Sequence, residues 1–282
     1  MSLRQAIDDA AAMLAAAGVD SARVDAELLA AHAAGIDRGR LMFADLPTDF
    51  PDRYRELVAG RARRIPLQHL TGTAAFGPVQ VHVGPGVFIP RPETEAMLEW
   101  TLQQQLRAEP VIVDLCTGSG ALALALATAR PRARVIAVEN SAAALEYARR
   151  NLDGTGVELV DADVTAAGLL PDLDGIVDLV VANPPYIPDG AALDPEVADH
   201  DPAQALFGGA DGMVVINAIV TVARRWLRPG GRCAVEHDDT TSALTAAAFD
   251  AAVFDEVTAR TDLTGRPRFV TARRRPATTE AR

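Results

Sequence analysis

The sequence predicts an α/β protein whose parallel sheet with crossover helices follows a small all-α unit and a β-hairpin. Two observations carry that prediction. From Val111 onward, short apolar β-branched runs alternate with longer helical patterns, the signature of strands joined by crossover helices. Before Val111 the texture changes twice. It is helical and free of β-rich alternation up to about residue 64, then rich in Val, Phe and Gly as far as Pro92. A chain of 282 residues has room for one large domain or for a small and a medium one.

In chain order, residues 1–64 place Ile7, Leu14, Leu28, Leu29, Leu57 and Val58 among Ala, Arg and Glu. Gly18 and Gly35 sit like helix C-caps, and Pro51 like the first residue of a new helix. This helical unit reads equally well as a structural cap and as a docking platform. In the linker expected over 65–92, Val79, Val81 and Val83 alternate with Gln80 and His82, which predicts a hairpin. Pro90-Arg91-Pro92-Glu93-Thr94-Glu95 then opens a helix, with acids where the helix dipole favours them and with Leu98, Leu102 and Leu106 continuing one apolar face. Within the domain expected over 93–272, the strands are Val111–Leu115, Val135–Glu139, Val157–Val160, Val177–Ala182 and Arg232–Glu236. Val253–Ala259 and Arg268–Ala272 form an edge hairpin, which makes seven strands. Helices fall at Ala121–Arg130, Ala142–Asn151 and Met213–Leu227, and Pro229-Gly230-Gly231 breaks the last before the next strand. The tail 273–282 has little apolar content and is expected to be disordered.

Composition narrows the function classes. A net charge of −11 disfavours nonspecific attraction to nucleic acid or anionic membrane, so no direct nucleic-acid partner is expected. The longest apolar run, Ala121 to Ala129, is too short to cross a bilayer, and Asp8 and Asp9 interrupt the Ala-rich N-terminus where a signal peptide would carry its apolar core. Cys116 and Cys233 are far apart, and the five histidines have no metal-site spacing. The expectation is a soluble cytoplasmic monomer with no metal.

Chemistry concentrates at the ends of strands. The run from Val177 stops at Asn183-Pro184-Pro185-Tyr186. Two prolines lack N–H groups and have fixed φ, so the strand cannot continue. Asn183 offers two donors and an acceptor, and Tyr186 a flat face with a polar tip. Together they suit a planar group bearing N–H bonds, such as a carboxamide or an exocyclic amine; a plain strand-ending turn is the simpler alternative. After the first strand, Asp114-Leu115-Cys116-Thr117-Gly118-Ser119-Gly120 opens into a helix, where Gly118 and Gly120 let a ligand lie against backbone N–H groups. Glu139, at the end of the second strand, can accept from ribose hydroxyls. Asp163, after the third, can accept from an adenine amine with Val164 packing on the ring. Each taken singly could be a cap, a surface acid or an Asx turn. Four strand ends carrying matched groups in order, Asp114, Glu139, Asp163 and Asn183, point to an adenosine-containing cofactor bound by these residues.

The series Asp114 to Gly120, Glu139, Asp163 and Asn183-Pro184-Pro185-Tyr186 resembles class I S-adenosylmethionine-dependent methyltransferases that modify planar nitrogens. Pro66-Leu67-Gln68-His69-Leu70-Thr71-Gly72, Phe88 to Glu95, Ala205 to Gly212, and Gly230-Gly231 followed by Glu236 are similar, more narrowly, to the HemK/PrmC family. That resemblance spans about Pro66 to Val270. It implies a Rossmann-like seven-stranded sheet, S-adenosyl-L-methionine as cofactor, and methylation of the glutamine side-chain nitrogen in the Gly-Gly-Gln motif of peptide chain release factors. It implies that Cys116, Thr117, Gly118, Ser119, Gly120, Glu139, Asp163, Val164 and Asn183 surround the cofactor. Asn183, Pro184, Pro185 and Tyr186 would grip the substrate amide, with Phe88 packing on it and the helical unit helping to hold the release factor. Two positions depart from the family pattern: Cys116 replaces a commoner glycine, and Glu236-His237-Asp238-Asp239 replaces Glu-x-Gly.

If Asn183 Oδ1 and the Pro184 carbonyl accept the two N–H bonds, the amide nitrogen is oriented toward the methyl group and its developing charge is stabilised. Tyr186 then has a packing role, and Tyr186→Phe is expected to be mild. The rivals are methylation of adenine N6 in DNA or RNA, a nicotinamide oxidoreductase using Gly118-x-Gly120-x-x-Ala123, and a catalytically silent scaffold.

Overall fold

A computed structural model describes residues 2–43 and 45–276. It divides into two compact units, one taking in the chain through Thr73 together with Leu193–His200, the other Ala74–Ala192 and the chain from Asp201.

The first unit is helical: α1 (Leu3–Ala16), α2 (Ala22–Ala34), a 3-10 turn (Arg38–Phe43), α3 (Phe50–Ala62) and α4 (Leu67–Thr71). Ser2 caps α1 by accepting from the Gln5 N–H, and Gly35, at φ 69°, ends α2 in the left-handed conformation that glycine adopts freely. Ile7, Leu14, Leu29, Tyr54 and Val58 are buried together. Beside them Arg61 Nε donates to Asp25 Oδ2 at 2.7 Å and Arg61 Nη1 to Glu196 Oε2 at 2.8 Å, so a buried guanidinium is matched by two carboxylates. α4 is an element that sequence periodicity missed, because five residues are too few to show a helical period.

The second unit, from Ala74, holds all but the first residue of the hairpin β1 (Thr73–Phe76) and β2 (Val79–His82), then α5 (Pro92–Leu102), β3 (Val111–Leu115), α6 (Ala121–Ala129), β4 (Arg134–Glu139), α7 (Ala142–Leu152), β5 (Glu158–Asp161) and β6 (Val177–Ala182). After α8 (Pro195–His200), which belongs to the first unit, come α9 (Ala203–Leu206), α10 (Val214–Trp226), β7 (Leu227–Glu236), α11 (Ser242–Ala248), β8 (Phe254–Thr261) and β9 (Pro267–Arg274). The sheet order is β5-β4-β3-β6-β7-β9-β8; the first five run parallel, while β9 is antiparallel to both β7 and β8. Alternate residues of each strand feed opposite faces. Ile112, Ala137, Leu179 and Val181 pack with α5, α6 and the hairpin, whereas Val113, Ile136, Val180 and Val235 pack with Ile216, Ile219 and Trp226 of α10.

The chain winds outward from β3 in one direction through β4 to β5, and in the other through β6 to β7. β3 and β6 are therefore neighbours at the point where the winding reverses, with a crevice expected beyond their carboxyl ends. Leu115 pairs with Val138 on one side and Ala182 on the other, and Glu139 pairs with Asp161. The residues that follow these strands thus leave the sheet side by side.

Three expectations need correcting. Leu106 lies beyond α5, which ends at Leu102; it still packs on the core, but from a loop. Pro229-Gly230-Gly231 does not break the chain before a strand. β7 already begins at Leu227, opposite Val177, and resumes at Arg232, opposite Leu179, so the three residues ride in a bulge. Across the bulge buried Asp178 accepts from Arg107 Nε, Arg228 Nε and the Val111 N–H. The tail is ordered further than composition suggested, since β9 includes Arg273, paired with Asp255 at 2.8 Å, and Arg274, which donates to the Leu227 carbonyl at 2.8 Å. Positions 277–282 of that expected tail lie outside the described residues.

Candidate active site

The loop after β3 is built by its own buried acid. Asp114 is 1% exposed and accepts from Thr117 Oγ1 at 2.5 Å and from the Ala123 N–H at 3.1 Å, which folds the loop back onto the first turn of α6. Burial pushes its pKa up to about 7 against the opposing pull of those two bonds. Cys116 has φ 58°, a left-handed conformation that costs a side-chain-bearing residue about 1–2 kcal/mol. Gly118 (φ 59°) and Gly120 (φ 83°) share that region. A Cβ on Gly118 would meet nothing within 4 Å, so the backbone there borders open space, whereas Gly120 is backed by Leu152 at 3.0 Å. Ser119 is buried, and its carbonyl accepts from Asn151 Nδ2.

Glu139 ties the next strand end to this loop. Its Oε2 accepts from the Gly118 N–H at 2.8 Å, and its Oε1 from the Asn140 and Ser141 N–H groups at 3.0 and 2.9 Å. A carboxylate has about four acceptor sites, which leaves one for a hydroxyl with these bonds intact. Asp163 is exposed, and the Thr165 N–H and hydroxyl, both at 2.7 Å, hold its carboxyl below the usual carboxylate range. Val164 is buried, in the same hydrophobic core as Val138 and Ile216.

Asn183 directly follows Ala182, the partner of Leu115, and so stands next to the glycine loop. Its Nδ2 donates to Thr94 Oγ1 at 3.1 Å, while its Oδ1 accepts no hydrogen bond among the described residues. Thr94 Oγ1 in turn donates to Glu236 Oε2 at 2.7 Å, and the Tyr186 hydroxyl donates to Glu236 Oε1 at 3.0 Å. Glu236 is 1% exposed. Tyr186 therefore does more than present a ring. Burial, with the Glu236 charge beside it, raises its phenol above its ordinary range. Pro184 is buried and Pro185 half-buried. The loop they stiffen is held from outside by main-chain bonds: Ile187 N–H to Leu206 O at 2.8 Å, Gly208 N–H to Ile187 O at 2.9 Å and Asp189 N–H to Gly209 O at 3.0 Å. A Cβ on Gly208 would sit 2.5 Å from the Pro185 carbonyl oxygen, and one on Gly212 would overlap that of Tyr186. The Ala205 to Gly212 motif is thus a brace with its backbone against the Asn-Pro-Pro-Tyr turn.

Asp114, Cys116 to Gly120, Glu139, Asp163 and Asn183 are all gathered at one end of the sheet. Phe88 lies on the approach to α5, with the Arg91 guanidinium 5.1 Å over its ring, and no bond or ring contact joins it to Asn183. Thr94, Glu236 and the two brace glycines were missed as functional residues. Glu236 ends a parallel strand, so the rule that singled out Glu139 also reaches it. Thr94 lies within the Phe88 to Glu95 motif, but nothing in the sequence points to this role, because its partners are 89 and 142 residues away. Among the described residues there is no group of His, Cys, Asp or Glu able to hold a metal ion, and no helix long and apolar enough to cross a membrane.

Comparison with known proteins identifies the family. Two family models match, one described as the PrmC N-terminal domain over residues 5–72 and one as the methyltransferase small domain over 79–210. A methyltransferase from Pyrococcus furiosus shares the fold at a TM-score of 0.54 and 21% identity, covering 78% of this chain and 100% of that one. The release factor glutamine methyltransferase of Mycolicibacterium smegmatis is 70% identical over 274 residues, 96% of this chain and 98% of that protein. Its counterpart in Mycobacterium tuberculosis (strain H37Rv) is 65% identical over 280 residues, 97% of this chain and 92% of that protein. With identity of this order over nearly its whole length, the chain belongs to the release factor glutamine methyltransferase family.

Proposed function

We propose that this enzyme transfers a methyl group from S-adenosylmethionine to the side-chain amide nitrogen of the glutamine in the Gly-Gly-Gln motif of peptide chain release factors. The observation that carries the reading is Asn183: it adjoins the glycine loop, its nitrogen is anchored on Thr94, and its oxygen is unengaged. An acceptor held in that way suits a group that brings N–H bonds. The relatives at 65–70% identity are named for glutamine in release factors, and nothing in the site favours adenine instead.

The residues at the strand ends fit the cofactor. Open space over Gly118, the spare acceptor site of Glu139 and the exposed carboxylate of Asp163 are the features an adenosine needs, in the order in which its phosphate-free ribose and base would meet them. Cys116 to Gly120, Glu139, Asp163, Val164 and Asn183 would hold it, with Asp114 acting beneath the loop as its former. When bound, S-adenosylmethionine supplies an electrophilic methyl group on a sulfonium. Asn183 Oδ1 and the Pro184 carbonyl accept the two N–H bonds of the substrate amide, which orients the nitrogen and favours the positive charge that grows on it. Pro184 and Pro185 keep those acceptors in place. Phe88, backed by Arg91, and the Tyr186 ring pack against the amide, and the helical unit docks the release factor. Action in the cytoplasm follows from such a substrate.

A radiolabelled methyl-transfer assay tests this by offering a purified release factor and, separately, DNA. Label is expected on the protein only; label on DNA with none on the release factor would reject the proposal.

A further inference from the structure

We infer that Thr94 and Glu236 are positioning residues that fix which end of the Asn183 amide faces the substrate, and that Glu236 does so only as a carboxylate. The inference rests on the role proposed above for Asn183.

The two ends of an asparagine amide have almost the same shape, so packing does not choose between them. Here the hydrogen-bond chain chooses. A carboxylate can only accept, so both neighbours of Glu236 must give it their protons: Thr94 Oγ1 at 2.7 Å and the Tyr186 hydroxyl at 3.0 Å. A threonine hydroxyl has one proton. Once it is spent on Glu236, the Thr94 oxygen can only accept, and the group it meets at 3.1 Å must be the Asn183 NH2. Oδ1 is thereby turned to the open side, where an acceptor is needed.

A proton on Glu236 removes this constraint. The carboxylic acid can donate to Thr94, Thr94 can donate to the amide oxygen, and a flipped amide would present NH2 to a substrate that also brings N–H bonds. Two donors then face each other, and the substrate amide loses its acceptor. The groups facing Glu236 are Tyr186, Arg268 from β9, which favours the carboxylate, and Glu93 from α5, which opposes it. His237, just past the end of β7, turns its Nδ1 to the Asp238 carbonyl at 2.7 Å instead. Burial dominates and moves the Glu236 pKa up to about 7. The working state is the ionised one, so activity is present above that value and is lost as the pH falls through it.

The test measures kcat and KM for release factor methylation by the wild type, Thr94→Val, Thr94→Ser and Glu236→Gln between about pH 5.5 and 8.5. Cofactor affinity and thermal melting are followed on the same samples. Thr94→Val keeps the shape and removes the hydroxyl, so its kcat should fall about tenfold or more while KM values move little. Thr94→Ser restores the hydroxyl and should recover most of the rate. The wild-type rate should decline below about pH 7, and Glu236→Gln, which cannot ionise, should be slower and lack that decline. A packing role for Thr94 gives the reverse ranking, with Val equal to the wild type and Ser impaired, and overturns the inference. Retention of the acidic decline in Glu236→Gln also overturns it. A wild type that methylates no release factor rejects the proposed function and this inference together; an active wild type with an equally active Thr94→Val rejects the inference alone.

Discussion

Asn183 is exposed to the site through one oxygen and fixed through one nitrogen, so removing its amide removes the acceptor and leaves Thr94 without its donor. Asn183→Ala is expected to lower kcat by about 10²-fold or more, as measured by single-turnover methylation at saturating cofactor; an unchanged rate would remove Asn183 from the chemistry. Tyr186 is the residue whose sequence-based reading changes most. Its ring suggested packing and a mild Tyr186→Phe phenotype, but its hydroxyl is one of two donors to the buried Glu236 carboxylate, and that bond lowers the Glu236 pKa. Removing it lets burial act more strongly. The acidic limb of the pH–rate profile should therefore move to higher pH in Tyr186→Phe, and a limb that stays put or moves down would show that the hydroxyl is incidental. Cys116 shows the opposite case. Its departure from glycine was legible in the sequence, but its consequence was not, because only the backbone reveals a φ of 58°.

Among the elements, the strands that deliver the site were the most legible, since five apolar runs in a parallel sheet announce themselves by composition and spacing. What escaped were pieces whose identity depends on a distant partner. α4 is too short to show a period, and the Pro229-Gly230-Gly231 bulge resembles a chain break until Asp178 is seen opposite it, accepting from Arg107 and Arg228. The Ala205 to Gly212 brace is the most consequential of these. Its sequence carried a family resemblance but no structural role, and Gly212 has no room for a Cβ beside the Tyr186 carbonyl. Gly190 provides the comparison: its φ of 79° matches the 75° of Gly212, but a Cβ there meets nothing within 4 Å. Both alanine variants carry the backbone strain of about 1–2 kcal/mol. Only Gly212→Ala should displace the Asn-Pro-Pro-Tyr turn. Its kcat is expected to fall about tenfold further than that of Gly190→Ala at similar melting temperature. Equal kinetics in the two variants would mean that the brace does not set the geometry of the turn.

At the scale of the whole molecule, the sheet brings to one edge groups that lie far apart in the chain: the glycine loop after β3, Glu139 after β4, Asp163 beyond β5, Asn183 after β6 and Glu236 ending β7. That common edge is why the sequence alone could nominate these positions, Glu236 excepted, together as site candidates. A residue at the carboxyl end of a parallel strand is a site candidate wherever it falls in sequence. Thr94 lies on a helix, outside that rule, and only the folded chain brings it between Asn183 and Glu236. The most direct measurement is intact-mass and fragment spectrometry of a purified release factor incubated with this enzyme and S-adenosylmethionine, beside a variant whose motif reads Gly-Gly-Ala. One added methyl, located on the glutamine and absent from the variant, is the expected result. An unmodified glutamine in the wild-type factor, from an enzyme that binds the cofactor, would contradict the proposed reaction.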